Sequence, residues 1–135
     1  TRGRAAGTNI LANRVALDKP LVLRSVNGPQ FTVIQGHPVP GTTNGDGAVR
    51  CVYLTNGASL SGFTLTNGAT RAVYDYDYSP EGSGGGIWCE STNNCVVSNC
   101  VVTGNFAYTL AGGAHGGQPK VGGVLSIDPS SAIAL

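Results

Sequence analysis

The chain is poor in charged residues and lacks the features that mark several common protein classes. Charged residues make up 11% of its 135 positions, and the formal net charge is +1. Such a balance provides no strong electrostatic field to attract nucleic acid or an anionic membrane surface. The sequence has no run of about twenty apolar residues and no charged segment leading into a short apolar one. It therefore predicts neither a membrane span nor a signal peptide.

Helical periodicity and metal-binding cysteine spacing are also missing. No segment places apolar residues at positions i, i+3 and i+4 over three turns, which largely excludes helix. The chain has two histidines and four cysteines without a Cys-x-x-Cys pair, so a structural zinc site is disfavoured. The cysteines lie in or beside strand-like segments, at Cys51, Cys89, Cys95 and Cys100. We expect reduced core cysteines, with one disulfide as the alternative.

What the sequence does contain is a strand-turn-strand unit that occurs more than once. Its clearest copy covers residues 84–105, where two apolar segments flank a polar turn. An earlier copy covers 51–68, and a partial copy covers 112–115. Once an inserted segment is removed, aligned positions recur about every 20–22 residues, a period typical of a parallel β-solenoid.

Alternation within the aligned strands assigns their side chains to two faces. The predicted inward set is apolar and builds a core from Val52, Leu54, Phe63, Leu65, Ile87, Cys89, Cys100 and Val102. The predicted outward set contains Tyr53, Thr55, Trp88 and Glu90. Asn and Gly pairs at the turns are expected to supply positive φ angles, at 56–57, 67–68 and 104–105.

Three stretches resemble the repeats of right-handed parallel β-helix proteins of the pectin-lyase-like superfamily: SLSGFTLTNG, GGGIWCE and NCVVSNCVVTGN. The repeats are most similar to those of large bacterial surface proteins of the polymorphic outer-membrane type. The resemblance implies an all-β fold, a short right-handed parallel β-helix of about four rungs with two inserted loops. The superfamily includes adhesins, lyases and hydrolases, so the resemblance specifies the fold better than the activity.

The resemblance also divides the chain. We expect residues 1–8 to be a flexible lead-in, 9–117 to form the β-helix and 118–135 to be a non-repeat tail or cap. Because a β-helix of this length is unusually short, we expect the chain to be a fragment of a longer protein.

Three aromatic residues, Tyr53, Trp88 and His115, take equivalent outward positions in the aligned repeats. Stacked positions lie about 4.8 Å apart, so these rings are expected to form an exposed strip that holds sugar rings. Glu90 and Thr55 lie beside them and offer hydrogen bonds to sugar hydroxyls. The alternative is that a loop folds over Tyr53 and Trp88 and buries them as a second small core. The predicted ligand-binding residues are Tyr53, Trp88, Glu90 and His115.

One predicted loop holds three of the seven acidic residues, Asp75, Asp77 and Glu81. Carboxylates bind Ca²⁺ and can pair as acid and base, so these three are candidate ligands for Ca²⁺ or another divalent metal. The alternative is that they are solvated loop carboxylates and that no cofactor is required. The candidate catalytic residues are Asp75, Asp77, His115 and Glu90.

Known catalytic motifs are not carried over to this sequence. Pectate-lyase-like catalysis, as the resemblance implies it, uses acidic Ca²⁺ ligands and an arginine base on one strand face. No arginine lies beside an acidic strand pair, among Arg2, Arg4, Arg14, Arg24, Arg50 and Arg71. A G-x-S-x-G elbow is absent, and the glycines at 84–86 precede a strand rather than a phosphate-binding helix.

Two functions follow from these patterns. The first is a non-catalytic β-solenoid module of a secreted or surface protein that acts in adhesion or glycan binding. The alternative is a polysaccharide lyase or hydrolase that uses the outward aromatic and acidic face. We expect carbohydrate rather than nucleic acid as partner. We also expect homo-oligomers formed through strand edges or end to end, because a short coil has open ends.

Overall fold

A computed structural model of the chain describes residues 4–5, 10–55, 57–73, 81–90, 95–109, 114–116, 120–122 and 126–127. Within these residues the protein is all-β and contains no helix. The described strands are β1 (Arg4–Ala5), β2 (Ala12–Leu17), β3 (Val22–Arg24), β4 (Val33–Gln35), β5 (Val49–Leu54), β6 (Ser59–Ser61), β7 (Thr64–Thr66), β8 (Ile87–Cys89), β9 (Val96–Ser98), β10 (Val101–Thr103), β11 (Ala114–Gly116), β12 (Lys120–Gly122) and β13 (Ser126–Ile127).

The strands assemble into three sheets, in which all pairs are parallel except β1 with β2. Sheet A has the order β1-β2-β5-β8-β11, sheet B the order β12-β9-β6-β3 and sheet C the order β13-β10-β7-β4. From β2 onwards, successive strands enter sheets A, B and C in turn and then return to sheet A. Each strand from β5 onwards therefore pairs with the strand three places earlier in the chain.

The strand register confirms the alignments made from the sequence. Val52 lies opposite Ile87 in sheet A, and Ile87 lies opposite Ala114. In sheet C, Leu65 lies opposite Val102. The strand-turn-strand units were therefore correctly matched to one another.

The predicted period of about 20–22 residues applies once an inserted segment is removed, and the full separations between paired residues are longer and vary. From Leu23 to its partner Leu60 is 37 positions, whereas from Val97 to its partner Val121 is 24. The strands are only a few residues long, and the segments that join them differ in length. Each strand pairs with a whole strand, so the connecting segments between paired strands can contain different numbers of residues.

One central core cluster receives side chains from all three sheets. It contains the whole predicted inward set, Val52, Leu54, Phe63, Leu65, Ile87, Cys89, Cys100 and Val102. The four cysteines are buried in this cluster as free thiols. Burying one aliphatic side chain contributes about 1.5–3 kcal/mol, so this cluster is the main source of stability.

Strand pairing extends beyond the segment expected to form the β-helix. β1 lies in the predicted lead-in and pairs with β2, while β12 and β13 lie in the predicted tail and pair with β9 and β10. In the described residues, strand pairing continues past residue 117. These strands are two or three residues long, too short for an alternating pattern to reveal them.

The corners depend on residues that tolerate unusual backbone geometry. Gly57, Asn67 and Gly104 have φ angles of 80°, 55° and 61°, as the turn pairs predicted. Gly68 is needed for a different reason: a Cβ atom there would collide with the carbonyl of Gly85. The backbones at Gly68 and Gly85 approach each other too closely for any side chain at position 68.

Candidate functional site

The face of sheet A that points away from the central core carries the predicted aromatic column. Tyr53 lies opposite Trp88, and Trp88 lies opposite His115, so the register agrees with the predicted column. Ala16 of β2 lies opposite Tyr53 and so belongs to the same column. For His115 the strand position is described, and its side chain lies outside the described part of the protein.

The two described rings of this column are covered. Tyr53 and Trp88 are 6% and 7% exposed, and with Ala16 they form a small cluster separate from the central core. An exposed strip was expected, whereas the structure agrees with the alternative of a second small core. A sugar ring therefore has no open ring face of Tyr53 or Trp88 on which to stack.

Arg50 is the residue that sequence reasoning missed at this site. Its side chain is completely buried, and its guanidinium carbon lies 5.7 Å from the centroid of the Trp88 ring. The guanidinium donates to the carbonyls of Gly84 and Ser83, at 2.8 and 2.9 Å, and to Oδ1 of Asn13 at 3.1 Å. A cation over an aromatic face, with its N–H groups paired, holds this layer together.

Burial lowers the pKa of Arg50 to about 9, and the negative charge of Glu81 opposes this effect. The guanidinium is therefore still charged at neutral pH. The sequence signal was available, because Arg50 interrupts an otherwise apolar strand. Strict alternation hid its position: Cys51 and Val52 are consecutive and both lie in the central core, so the alternation breaks beside Arg50.

Glu90 lies at the solvent-exposed border of the cluster of Ala16, Tyr53 and Trp88, and this border is called the rim below. The hydroxyl of Tyr53 donates to Oε2 of Glu90, and Glu90 itself is exposed. Burial, followed by this hydrogen bond, raises the pKa of Tyr53 above its usual value. The rim thus presents the Glu90 carboxylate to solvent as a hydrogen-bond acceptor, and the hydroxyl of the buried Tyr53 holds that carboxylate in position.

The acidic loop gives a different result for each of its members. Asp75 and Asp77 lie outside the described residues. Glu81 accepts hydrogen bonds from the backbone N–H groups of Ile10, at 2.8 Å, and Leu11, at 3.1 Å, and pairs with Arg71 at 3.2 Å. Its carboxylate joins the residues just before β2 to Arg71, a structural role that occupies both oxygens.

No group of three metal-ligating side chains occurs within the described residues. The same part of the chain contains no helix with the length and apolar character needed to cross a bilayer. No protein-family model matches the chain, and no match is found among curated proteins or solved structures.

Proposed function

We propose that the chain is a non-catalytic module of a secreted or surface protein, built as a short right-handed parallel β-helix and used for adhesion or glycan binding. Strand order is the observation that supports the architecture. Successive strands enter three parallel sheets in rotation, as the coiling of a β-helix requires. The sets β2–β4, β5–β7, β8–β10 and β11–β13 are the proposed four rungs.

The proposed carbohydrate site is the rim at Glu90. Its exposed carboxylate accepts hydrogen bonds, and Tyr53 fixes the direction of one oxygen. Trp88 lies behind the rim, and His115 is the next residue of the column. Because the rings are covered, the sugar contacts this rim with its hydroxyl groups and does not stack flat.

A glycan array probed with the intact chain and with Glu90→Ala tests the carbohydrate site. Asp18→Ala is the matched control, because Asp18 is an exposed carboxylate that follows β2 as Glu90 follows β8. We expect Glu90→Ala to weaken binding about tenfold through loss of the charged hydrogen-bond acceptor, and Asp18→Ala to leave it unchanged. Equal binding by both variants would exclude the rim as the site.

A polysaccharide-active or metal-assisted hydrolytic enzyme stays the alternative prediction. Its candidate residues include Asp75 and Asp77, and Ca²⁺ is its candidate metal. The measurement is release of reducing ends from a panel of polysaccharides, with and without EDTA. Release that is lost in Asp77→Ala would contradict the non-catalytic proposal, whereas binding without turnover supports it.

Association of copies through strand edges or ends also stays a prediction. Its support is that β3 and β4 each pair on one side only among the described strands. Sedimentation velocity over a hundredfold range of protein concentration tests it. A concentration-independent monomer would contradict it.

A further inference from the structure

Two of the four cysteines lie close together at one corner of the protein. Cys89 is the last residue of β8 in sheet A, and Cys95 directly precedes β9 in sheet B. Both side chains are fully buried in the central core cluster. Residues 90–94 connect them, so the pair spans the corner at which the chain leaves sheet A and enters sheet B.

Contacts with the end of β5 place the two cysteines side by side. Cys89 lies opposite Leu54 in the strand register. The carbonyl oxygen of Leu54 accepts the N–H of Glu90 at 2.8 Å and lies 3.8 Å from the Cys95 sulfur. The Cys95 thiol donates to the neighbouring carbonyl of Thr55 at 3.4 Å. The end of β5 therefore contacts the chain at both cysteines.

The thiols of Cys89 and Cys95 are also hydrogen-bonded to each other, in the reduced form that the structure shows. Because the Cys95 thiol donates to Thr55, its sulfur serves as the acceptor for Cys89. This hydrogen bond, followed by burial, raises the pKa of the Cys89 thiol far above its usual range. A thiol that stays protonated is a poor nucleophile, so the pair reacts slowly once the reduced protein has folded.

The other two cysteines have oxygen atoms as their hydrogen-bond acceptors. Cys51 donates to a backbone carbonyl at 3.2 Å and to a side-chain amide oxygen at 3.3 Å. Cys100 donates to a backbone carbonyl at 3.2 Å. A disulfide requires two sulfur atoms in contact, and within the described residues the sulfurs of Cys89 and Cys95 meet this requirement.

We propose that Cys89 and Cys95 form a disulfide bond when the chain folds under oxidising conditions, and that this bond joins sheets A and B at their corner. The oxidant is another disulfide, such as oxidised glutathione. The two cysteines give up two protons and two electrons, the S–S bond of the oxidant breaks, and the oxidant leaves as two thiols. The product is uncharged and has no polar hydrogen, so it suits the apolar core. The proposal is independent of the carbohydrate site.

Peptide mapping of the full chain tests the pairing. The chain is refolded from urea in reduced and oxidised glutathione, its free thiols are alkylated, and it is cleaved after glutamate. Cleavage after Glu90 separates Cys89 from Cys95 and Cys100. We expect Cys89 in a linked pair of fragments, about 2 Da lighter than the two thiol fragments together. Cys95→Ala should remove this link, and Cys100→Ala, the matched control at an equally buried position, should keep it.

The unfolded chain is a second control, because two cysteines that are close in sequence can also pair without a fold. The ring between Cys95 and Cys100 is one residue shorter than the ring between Cys89 and Cys95. In urea we therefore expect the two bonds at similar levels. Under native conditions the bond from Cys89 to Cys95 should exceed the other at least about tenfold, because the fold holds these sulfurs together.

The contribution of the bond to stability is measured by reducing the refolded protein. Reduction should lower the urea midpoint of unfolding by about 1 M, and Cys95→Ala should show no such shift. Three results would overturn the proposal: Cys89 recovered alkylated, Cys89 linked to Cys51 or Cys100, or a midpoint that reduction leaves unchanged. Cys100→Ala decides the pairing even where Cys95→Ala does not fold, because Cys95 is then the single cysteine in its fragment. Failure of glycan binding leaves these outcomes unaffected.

Discussion

Sheet A differs from sheets B and C in how many of its faces are covered. Every residue of β5 and β8 is buried, whereas in β4 and β7 only the central residue is. The middle strands of sheet A, β5 and β8, therefore lie between the central core and a second layer, while the outer faces of β4 and β7 meet solvent. Coverage, rather than strand sequence alone, determines where a site can lie on this protein.

The second layer of sheet A is held by polar contacts as well as apolar ones. The guanidinium of Arg50 lies over the Trp88 ring, and Trp88 belongs to the same small cluster as Tyr53. The Tyr53 hydroxyl donates a hydrogen bond to Glu90. The segment around β4 shows the reverse arrangement, with apolar side chains exposed to water. The effect of coverage is open to measurement, because Trp88 and Arg50 each have a counterpart of similar chemistry at an exposed position, in Phe31 and Arg24.

Replacing an aromatic residue should show the largest difference between the two regions. Trp88→Ala empties a buried volume and should lower the free energy of unfolding by about 4 kcal/mol. Phe31→Ala removes a ring that is 77% exposed and should cost less than about 0.5 kcal/mol. Urea denaturation of both variants gives the two values, and similar losses would mean that sheet A has no second buried layer.

The matched arginines should differ next. Arg50→Met keeps much of the side-chain volume but leaves Asn13 and two carbonyls without their donor, and should cost about 3 kcal/mol. Arg24→Met, at an exposed position, should be neutral within about 0.5 kcal/mol. Chemical denaturation at neutral pH compares them. A neutral Arg50→Met would show that the buried hydrogen bonds contribute nothing net.

The central core should respond to alkaline pH through Cys51. Burial raises the pKa of its thiol from 9.0 to about 12, so the folded state holds this proton more tightly than the unfolded state. Its contribution is complete below pH 9 and is lost as the pH rises towards 12, at up to about 1.4 kcal/mol per pH unit. Denaturation at pH 7 and pH 10 measures the loss, and Cys51→Ala should reduce it.

The smallest expected effect concerns the rim. Tyr53→Phe removes the hydroxyl that donates to Glu90 and should cost about 1 kcal/mol. In a double-mutant cycle with Glu90→Ala, the two losses should sum to more than the loss in the double variant. Strict additivity would show that the two side chains do not interact in solution.

The sequence predicted the central core well because alternation and strand alignment carry that information directly. Leu65 and Val102 were placed in one column from the pattern alone, and the register confirms it. Arg50 was missed because a break in alternation moves it to the outer side of sheet A. The burial of Trp88 could not be predicted from the pattern either, because alternation assigns residues to two faces of a strand and does not show whether the outer face is covered.

The variable spacing between paired strands has a practical consequence for engineering. Because strand pairing does not fix the number of residues between paired strands, a connecting loop can be lengthened at only a small entropic cost. Gly41 lies at the exposed tip of such a loop, with no atom within 4 Å of the place a Cβ would take, and the bridge between His37 and Val49 closes the loop behind it. A foreign peptide grafted at this tip should leave the stacked strands undisturbed, making the protein a compact scaffold for display.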